Sequence, residues 1–81
     1  MTKFFIHINI GNDEDFIRTD SYERDGLEVL SAILRTGCDS PDASGGGVVL
    51  EQTVQTEQCL KHLGIQIPEE YNYWEVFITN V

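Results

Sequence analysis

Residues 3–10 alternate between two sides, with Phe4, Ile6, Ile8 and Ile10 on one and Phe5, His7 and Asn9 on the other. A period of two in aromatic and β-branched residues predicts a strand with one buried face. Gly11-Asn12-Asp13 is a turn signal, and a short second strand around Phe16–Thr19 would complete a hairpin. The period then changes. Leu27, Leu30, Ser31 and Leu34 recur at helical spacing, with Val29 and Ile33 widening the stripe. Ser21 or Asp25 is the expected N-cap, Glu28 completes a capping-box spacing from Asp25, and Gly37 is placed to end the helix in the left-handed conformation.

Beyond Gly37, the stretch 39–47 contains Pro41 and three consecutive glycines and reads as a mobile loop. Val48-Val49-Leu50 predicts a strand. A second helix is expected from about Thr53 or Thr56 to Leu63, with Thr56 as a cap, Val54, Cys59, Leu60 and Leu63 as its apolar positions, and Gly64 as its end. Ile65-Gln66-Ile67 reads as a short extended piece stopped by Pro68. In the last strand, Tyr71 to Val81, Tyr73, Glu75, Phe77 and Thr79 alternate with Trp74, Val76, Ile78 and Asn80. The order β(β)αβαβ predicts an α+β domain over residues 1–81. Its sheet has three or four strands, mainly antiparallel or mixed, with two helices on one face. The first and last strands are the most apolar and are expected side by side at the centre. The expected core is Phe4, Ile6, Ile8, Leu27, Leu30, Leu34, Leu60, Leu63, Trp74 and Ile78. On that register Leu30→Ala would cost roughly 2–5 kcal/mol.

Charge narrows the function classes. The 81 residues carry fourteen acids against five bases, a formal charge of −9. This opposes direct binding to nucleic acid, membrane phosphates or acidic substrates and favours a basic protein surface or cations. Seven of the acids fall in one segment: Asp13, Glu14, Asp15, Asp20, Glu23, Asp25 and Glu28, interrupted only by Arg18 and Arg24. The segment joins the hairpin turn to the first helix, so its charges are expected along one edge. Tyr71 and Tyr73, with Trp74, are flanked by Glu69, Glu70 and Glu75. Exposed aromatics rimmed by charge have the composition of an interface centre, and Trp74 is the one of the three most expected in the core.

Other chemistry is poorly supported. Cys59 and His62 stand three apart on a helix, and Cys38 and His7 could complete a zinc set, but the four come from unrelated segments without a CxxC or HxxxH spacing. Cys38 follows a helix C-terminus, which disfavours a thiolate nucleophile. The run Ser44 to Gly47 precedes a strand rather than a helix and lacks the lysine of a phosphate loop. Asp13-Glu14-Asp15 does not have calcium-loop spacing and reads as a solvated hairpin tip. No signal peptide or membrane-length apolar run is visible, so a cytoplasmic protein with reduced, structural thiols and no cofactor is expected.

The expectation is a non-enzymatic binding protein. It would use the seven acids of 13–28 with Tyr71 and Tyr73 to occupy a basic site on a larger protein. Nucleic-acid-binding complexes offer the commonest such sites, and clustered carboxylates imitate part of a phosphate field. In size and charge the chain resembles the small acidic inhibitors of phages and mobile elements, including anti-CRISPR and anti-restriction proteins. The resemblance implies an inhibitor that competes with DNA or RNA. The alternatives are a structural or regulatory accessory subunit whose charge serves solubility, and a small metal or thiol protein built on Cys38, Cys59, His7 and His62.

Overall fold

A computed structural model of the protein describes residues 2–41 and 46–80. Residues 42–45 of the glycine-rich loop, which the sequence predicts to be mobile, lie outside the described residues, as does Val81. In chain order come β1 (Lys3–Asn12), β2 (Asp15–Asp25), α1 (Gly26–Thr36), β3 (Val48–Leu50), α2 (Val54–His62) and β4 (Tyr73–Asn80). The order ββαβαβ builds a small α+β domain whose four-stranded sheet runs β2-β1-β4-β3, antiparallel at every pairing. The first and last strands are the central pair, as their apolar content predicts.

The period-two pattern sets the register. Ile6 faces Ile78, Ile8 faces Val76 and Ile10 faces Trp74 across the β1–β4 pair, and all six are buried. A one-residue slip would turn this row to solvent, so the hydrophobic pattern fixes the pairing. On top of the row lie Val29, Ala32 and Ile33 of α1, Cys59 and Leu60 of α2, and Leu50, Leu63 and Ile65, forming one cluster with Phe4. Ile65 and the half-buried Ile67 pack against this core as irregular chain, where the sequence predicts an extended piece.

β2 runs to Asp25, well past the expected four residues. Its register breaks once: Ile10 pairs with Arg18 but Gly11 with Phe16, leaving Ile17 as the extra residue of a bulge. Gly11 is needed there, because a Cβ would collide with the backbone carbonyl of Asp15. Asp25, rather than Ser21, caps α1, accepting from the Leu27 N–H at 3.2 Å. Gly37 ends the helix with φ 74°, its N–H bonded to the Ile33 carbonyl. Thr53, not Thr56, caps α2; Thr56 is buried, and its N–H donates to the Thr53 hydroxyl oxygen at 3.1 Å. Val54, expected as an apolar contact of that helix, is exposed.

The register of α1 departs most from expectation. Leu27, Leu30 and Leu34 are 70%, 43% and 84% exposed, while Gly26, Val29, Ala32 and Ile33 form the buried stripe. Both stripes have helical spacing, and the entry to the helix decides between them. Asp25 ends the edge strand and caps the helix at once, and the Gly26 N–H donates to the Thr2 carbonyl at 2.8 Å. This close start aims the small and β-branched residues at the sheet. Gly26 and Ala32 let the helix approach, and the longer leucines are turned outward.

The expected core contribution therefore moves from the leucines to their neighbours. Ile33→Ala should cost about 2–5 kcal/mol, whereas Leu30→Ala and Leu34→Ala should each cost less than about 1 kcal/mol. Urea unfolding of the three variants measures this, and a larger loss at Leu34 than at Ile33 would reject the observed register.

Candidate interaction surface

The same alternation that buries one face of the sheet leaves the other without a helix. Phe5, His7 and Asn9 of β1 and Tyr73, Glu75, Phe77 and Thr79 of β4 are all half-buried on this open face. The register sorts them into cross-strand rows. Glu23, Phe5 and Thr79 form one row, Ser21, His7, Phe77 and Val49 the next, then Thr19, Asn9 and Glu75, and finally Phe16, Gly11 and Tyr73. The His7 ring lies between Phe5 and Phe77, at 6.2 and 6.4 Å between centroids, and its Nδ1 is 2.8 Å from the Ser21 hydroxyl. In the next row the Thr19 hydroxyl donates to Asn9 Oδ1 at 2.6 Å, and Asn9 Nδ2 donates to Glu75 Oε1 at 3.3 Å. Gly11 leaves a gap in the last row, and Phe16 stacks on Tyr73 across it at 4.8 Å.

The seven acids of residues 13–28 follow the edge strand from one end of the molecule to the other. An eleven-residue strand spans roughly 35 Å, and the longest dimension of the domain is 36 Å. They therefore do not converge on one spot, and several are engaged. Asp20 pairs with Arg18 at 3.1 Å, Glu23 lies 3.9 Å from Lys3, and Asp25 caps α1. Glu28 lines a shallow pocket with Arg24, Arg35 and His62 at the opposite end. The dense part is the hairpin tip, where Asp13, Glu14 and Asp15 are exposed.

Around that tip the fold gathers residues distant in sequence. Asn72 clamps it: its N–H donates to Asn12 Oδ1 at 3.1 Å, its Oδ1 accepts from the Asp13 N–H at 3.0 Å, and its Nδ2 reaches Asp13 Oδ1 at 3.4 Å. Gln52 extends the clamp, donating to the Asn72 carbonyl at 3.2 Å and accepting from the Trp74 N–H at 3.2 Å. The side chain thus serves β4 as an edge partner beyond the three residues of β3. The exposed Glu51, Glu69 and Glu70 are chain neighbours of these contacts. Tyr71 sits under the Arg18 guanidinium, 5.1 Å from ring centroid to Cζ, and its hydroxyl accepts from Arg18 Nη1 at 3.4 Å. This end therefore carries Asp13, Glu14, Asp15, Glu51, Glu69 and Glu70 with Phe16, Tyr71 and Tyr73. Lys3 and Arg24 lie at the other end, where β1 begins and β2 ends.

Sequence reasoning names the tip acids and both tyrosines but misses that they meet. The link is Asn72, a lone polar residue between two tyrosines, and nothing local marks it as the partner of a turn sixty residues away. Phe16 is also missed as a surface aromatic, because the bulge that turns it toward Tyr73 is not written in the alternation.

Backbone strain adds to the character of the tip. Asp13 and Glu14 both have positive φ, 52° and 71°. Hairpin turns of this kind favour Asn-Gly, and residues with a Cβ are uncommon there.

The four residues weighed as metal ligands are not assembled. His7 is on the open face, Cys59 is fully buried on the other side of the sheet, and His62 is exposed at the end of α2. Among the described residues no three His, Cys, Asp or Glu side chains come together as a metal site. Burial, and then the neighbouring Cys38, push the Cys59 thiol up to about 11, while a hydrogen bond with Thr36 works in the other direction. No helix among the described residues is long and apolar enough to cross a membrane. No protein-family model, curated protein or solved structure matches the chain.

Replacing Asp13-Glu14 by Asn-Gly should relieve the positive-φ strain and raise stability by about 0.5–1 kcal/mol. Chemical denaturation checks this, and an unchanged or lower midpoint would show that the tip is not strained.

Proposed function

We propose that the protein is a non-enzymatic binding domain that docks its acidic, aromatic end into a basic site on a larger protein. The observation that carries this reading is the meeting of Asp13, Glu14 and Asp15 with Tyr71 and Tyr73 through the Asn72 clamp. Carboxylates steer the approach to a basic partner over a Debye length, and aromatics supply the contact area that slows dissociation. The formal charge of −9 makes basic protein the favoured partner class and direct nucleic-acid binding unfavourable. In concrete form the domain occupies a nucleic-acid-binding site and competes with DNA or RNA there, as an inhibitor of the anti-CRISPR or anti-restriction kind. The acids along β2, including Asp20, Glu23, Asp25 and Glu28, extend the negative field along one edge. No catalytic group and no cofactor enters this reading.

A second reading has its own support. Leu27, Leu30 and Leu34 make an exposed apolar stripe on α1, at the opposite side of the helix from its core contacts. Such a face suits an accessory subunit that packs against a partner through apolar contact, with the acids serving solubility.

Host-lysate capture with mass spectrometry at low and high salt tests the two together. On the first reading, Asp13→Asn with Glu14→Lys and Asp15→Lys lowers capture of a nucleic-acid-binding protein and slows its association at low salt. Raising salt does the same to the wild type, because the Debye length shrinks from about 10 Å at 0.1 M to about 3 Å at 1 M. Tyr73→Ala speeds dissociation with little salt dependence. If the tip variant associates at the wild-type rate while Leu30→Asp abolishes capture, the accessory-subunit reading replaces the first.

A further inference from the structure

β2 stands at the end of the strand order, so among the described residues only β1 pairs with it. Every second residue along it therefore points its N–H and C=O away from the sheet. The bulge at Ile17 interrupts the first part of this edge, and residues 19–25 run on without a break. α1 packs over β1 and β2, beside the same edge. Its Val29, Ala32 and Ile33 are buried, and its Glu28, Ser31 and Arg35 line a pocket with His62 and Leu63 at the end of α2. The third flank, Leu27, Leu30 and Leu34, is exposed and faces away from α2, on the side where the sheet ends at β2. An open strand edge and an apolar helix flank thus lie side by side.

We propose that the β2 edge and the leucine flank of α1 form one self-association surface, on which a second copy of this chain docks about a two-fold axis normal to the sheet. The two β2 strands pair antiparallel and join the two four-stranded sheets into one, and the two α1 helices bring their leucines together above the seam. Charge sets the register. A strand paired antiparallel with its own copy keeps each side chain on its own face, so the centre of the pairing falls on a residue rather than between two. Centring on Asp20, Glu23 or Arg24 sets that charge against itself, and centring on Ser21 sets Arg18 against Arg24. Centring on Tyr22 opposes no like charges and sets Asp20 against Arg24 of the second copy, twice by symmetry. Both groups are ready for it. Arg24 donates from Nε to the Leu63 carbonyl and from Nη1 to the Glu23 carbonyl, each at 2.9 Å, which leaves Nη2 without a bond among the described residues. Asp20 uses Oδ2 on Arg18 and keeps Oδ1 for a second partner. Tyr22, packed against the core, stands on the axis. This register uses residues 19–25 and leaves the bulge outside the seam. The two acidic tips fall at opposite ends of the pair, so Asp13, Glu14, Asp15, Tyr71 and Tyr73 take no part in it.

Sedimentation equilibrium of the full chain from micromolar to millimolar concentration tests this, at about 0.5 M salt to screen the repulsion between two chains of charge −9. The wild type is expected to pass from the 9.2 kDa monomer to twice that mass as concentration rises. Leu34→Glu, at an exposed position, is expected to raise the dimer Kd about tenfold or more with the fold unchanged. Asp20→Arg is expected to do the same by setting guanidinium groups against each other, and Arg24→Asp by opposing carboxylates. An equimolar mixture of these two charge variants is expected to recover a dimer, because each chain supplies the charge the other lacks. Where Arg24→Asp fails to fold, Asp20→Arg and Leu34→Glu decide alone. A wild type monomeric at every concentration, a dimer unchanged by Leu34→Glu or by Asp20→Arg, or a mixture of two folded charge variants that stays monomeric would each overturn the proposal. So would a monomer that captures a host protein through Leu34, which would assign the surface to a foreign subunit.

Discussion

The central pair of strands carries the rest of the molecule. Ile6, Ile8 and Ile10 of β1 interlock with Ile78, Val76 and Trp74 of β4. Because side chains alternate along a strand, burying this row commits Phe5, His7, Asn9, Tyr73, Glu75 and Phe77 to the other face. A chain of 81 residues has no third layer to cover them among its described elements. The half-exposed aromatics on the open face are thus a consequence of how the core is made. Their cross-strand contacts, with His7 between two phenylalanines and Tyr73 under Phe16, limit how much apolar surface they present.

The same pairing brings the two ends of the sequence together. β1 ends where β4 begins, so the turn after β1 and the segment before β4 are neighbours by construction. Asn72 converts that proximity into three hydrogen bonds to Asn12 and Asp13. Each such bond contributes only about 1 kcal/mol net, and less where water competes. Three on one residue nevertheless hold a tip whose own backbone is unfavourable. The result is an acidic end whose carboxylates come from three places in the chain.

The strands were legible because their signal is local. Alternation in residues 3–10 and 73–80 needs no tertiary knowledge, and it yields both the faces and the central pairing. Both helices were legible as helices, and α2 also as a face, since Cys59, Leu60 and Leu63 are buried as expected; the face of α1 was not legible. Leu27, Leu30 and Leu34 outweigh Val29, Ala32 and Ile33 in hydrophobicity, yet the entry through Asp25 and Gly26 turns the smaller stripe inward. Local composition cannot report that geometry, because it depends on where the edge strand ends against Thr2. The site divides in the same way. The acids and tyrosines are visible as types, but their meeting depends on Asn72 and on the bulge at Ile17.

Solubility alone is a weak account of the tip. A solubilising charge works at any exposed position, and the helices offer many where a carboxylate costs nothing in backbone conformation. Here Asp13 and Glu14 occupy two successive positive-φ positions, where glycine or asparagine fits better. The same end of the molecule also carries Tyr71, Tyr73 and Phe16, with Tyr71 under Arg18 and Tyr73 stacked on Phe16. Strain of this kind persists only where surrounding contacts enforce it, and it is concentrated at sites of binding and catalysis. The dihedrals at Asp13 and Glu14 and the Asn72 clamp support the proposed recognition role, and the leucine stripe on α1 has no comparable strain. Among the described residues, the acidic end is where positive-φ side chains are held by hydrogen bonds from a distant segment. The apolar helix face, by contrast, follows from the register that buries Gly26, Val29, Ala32 and Ile33, with no positive-φ residue within α1.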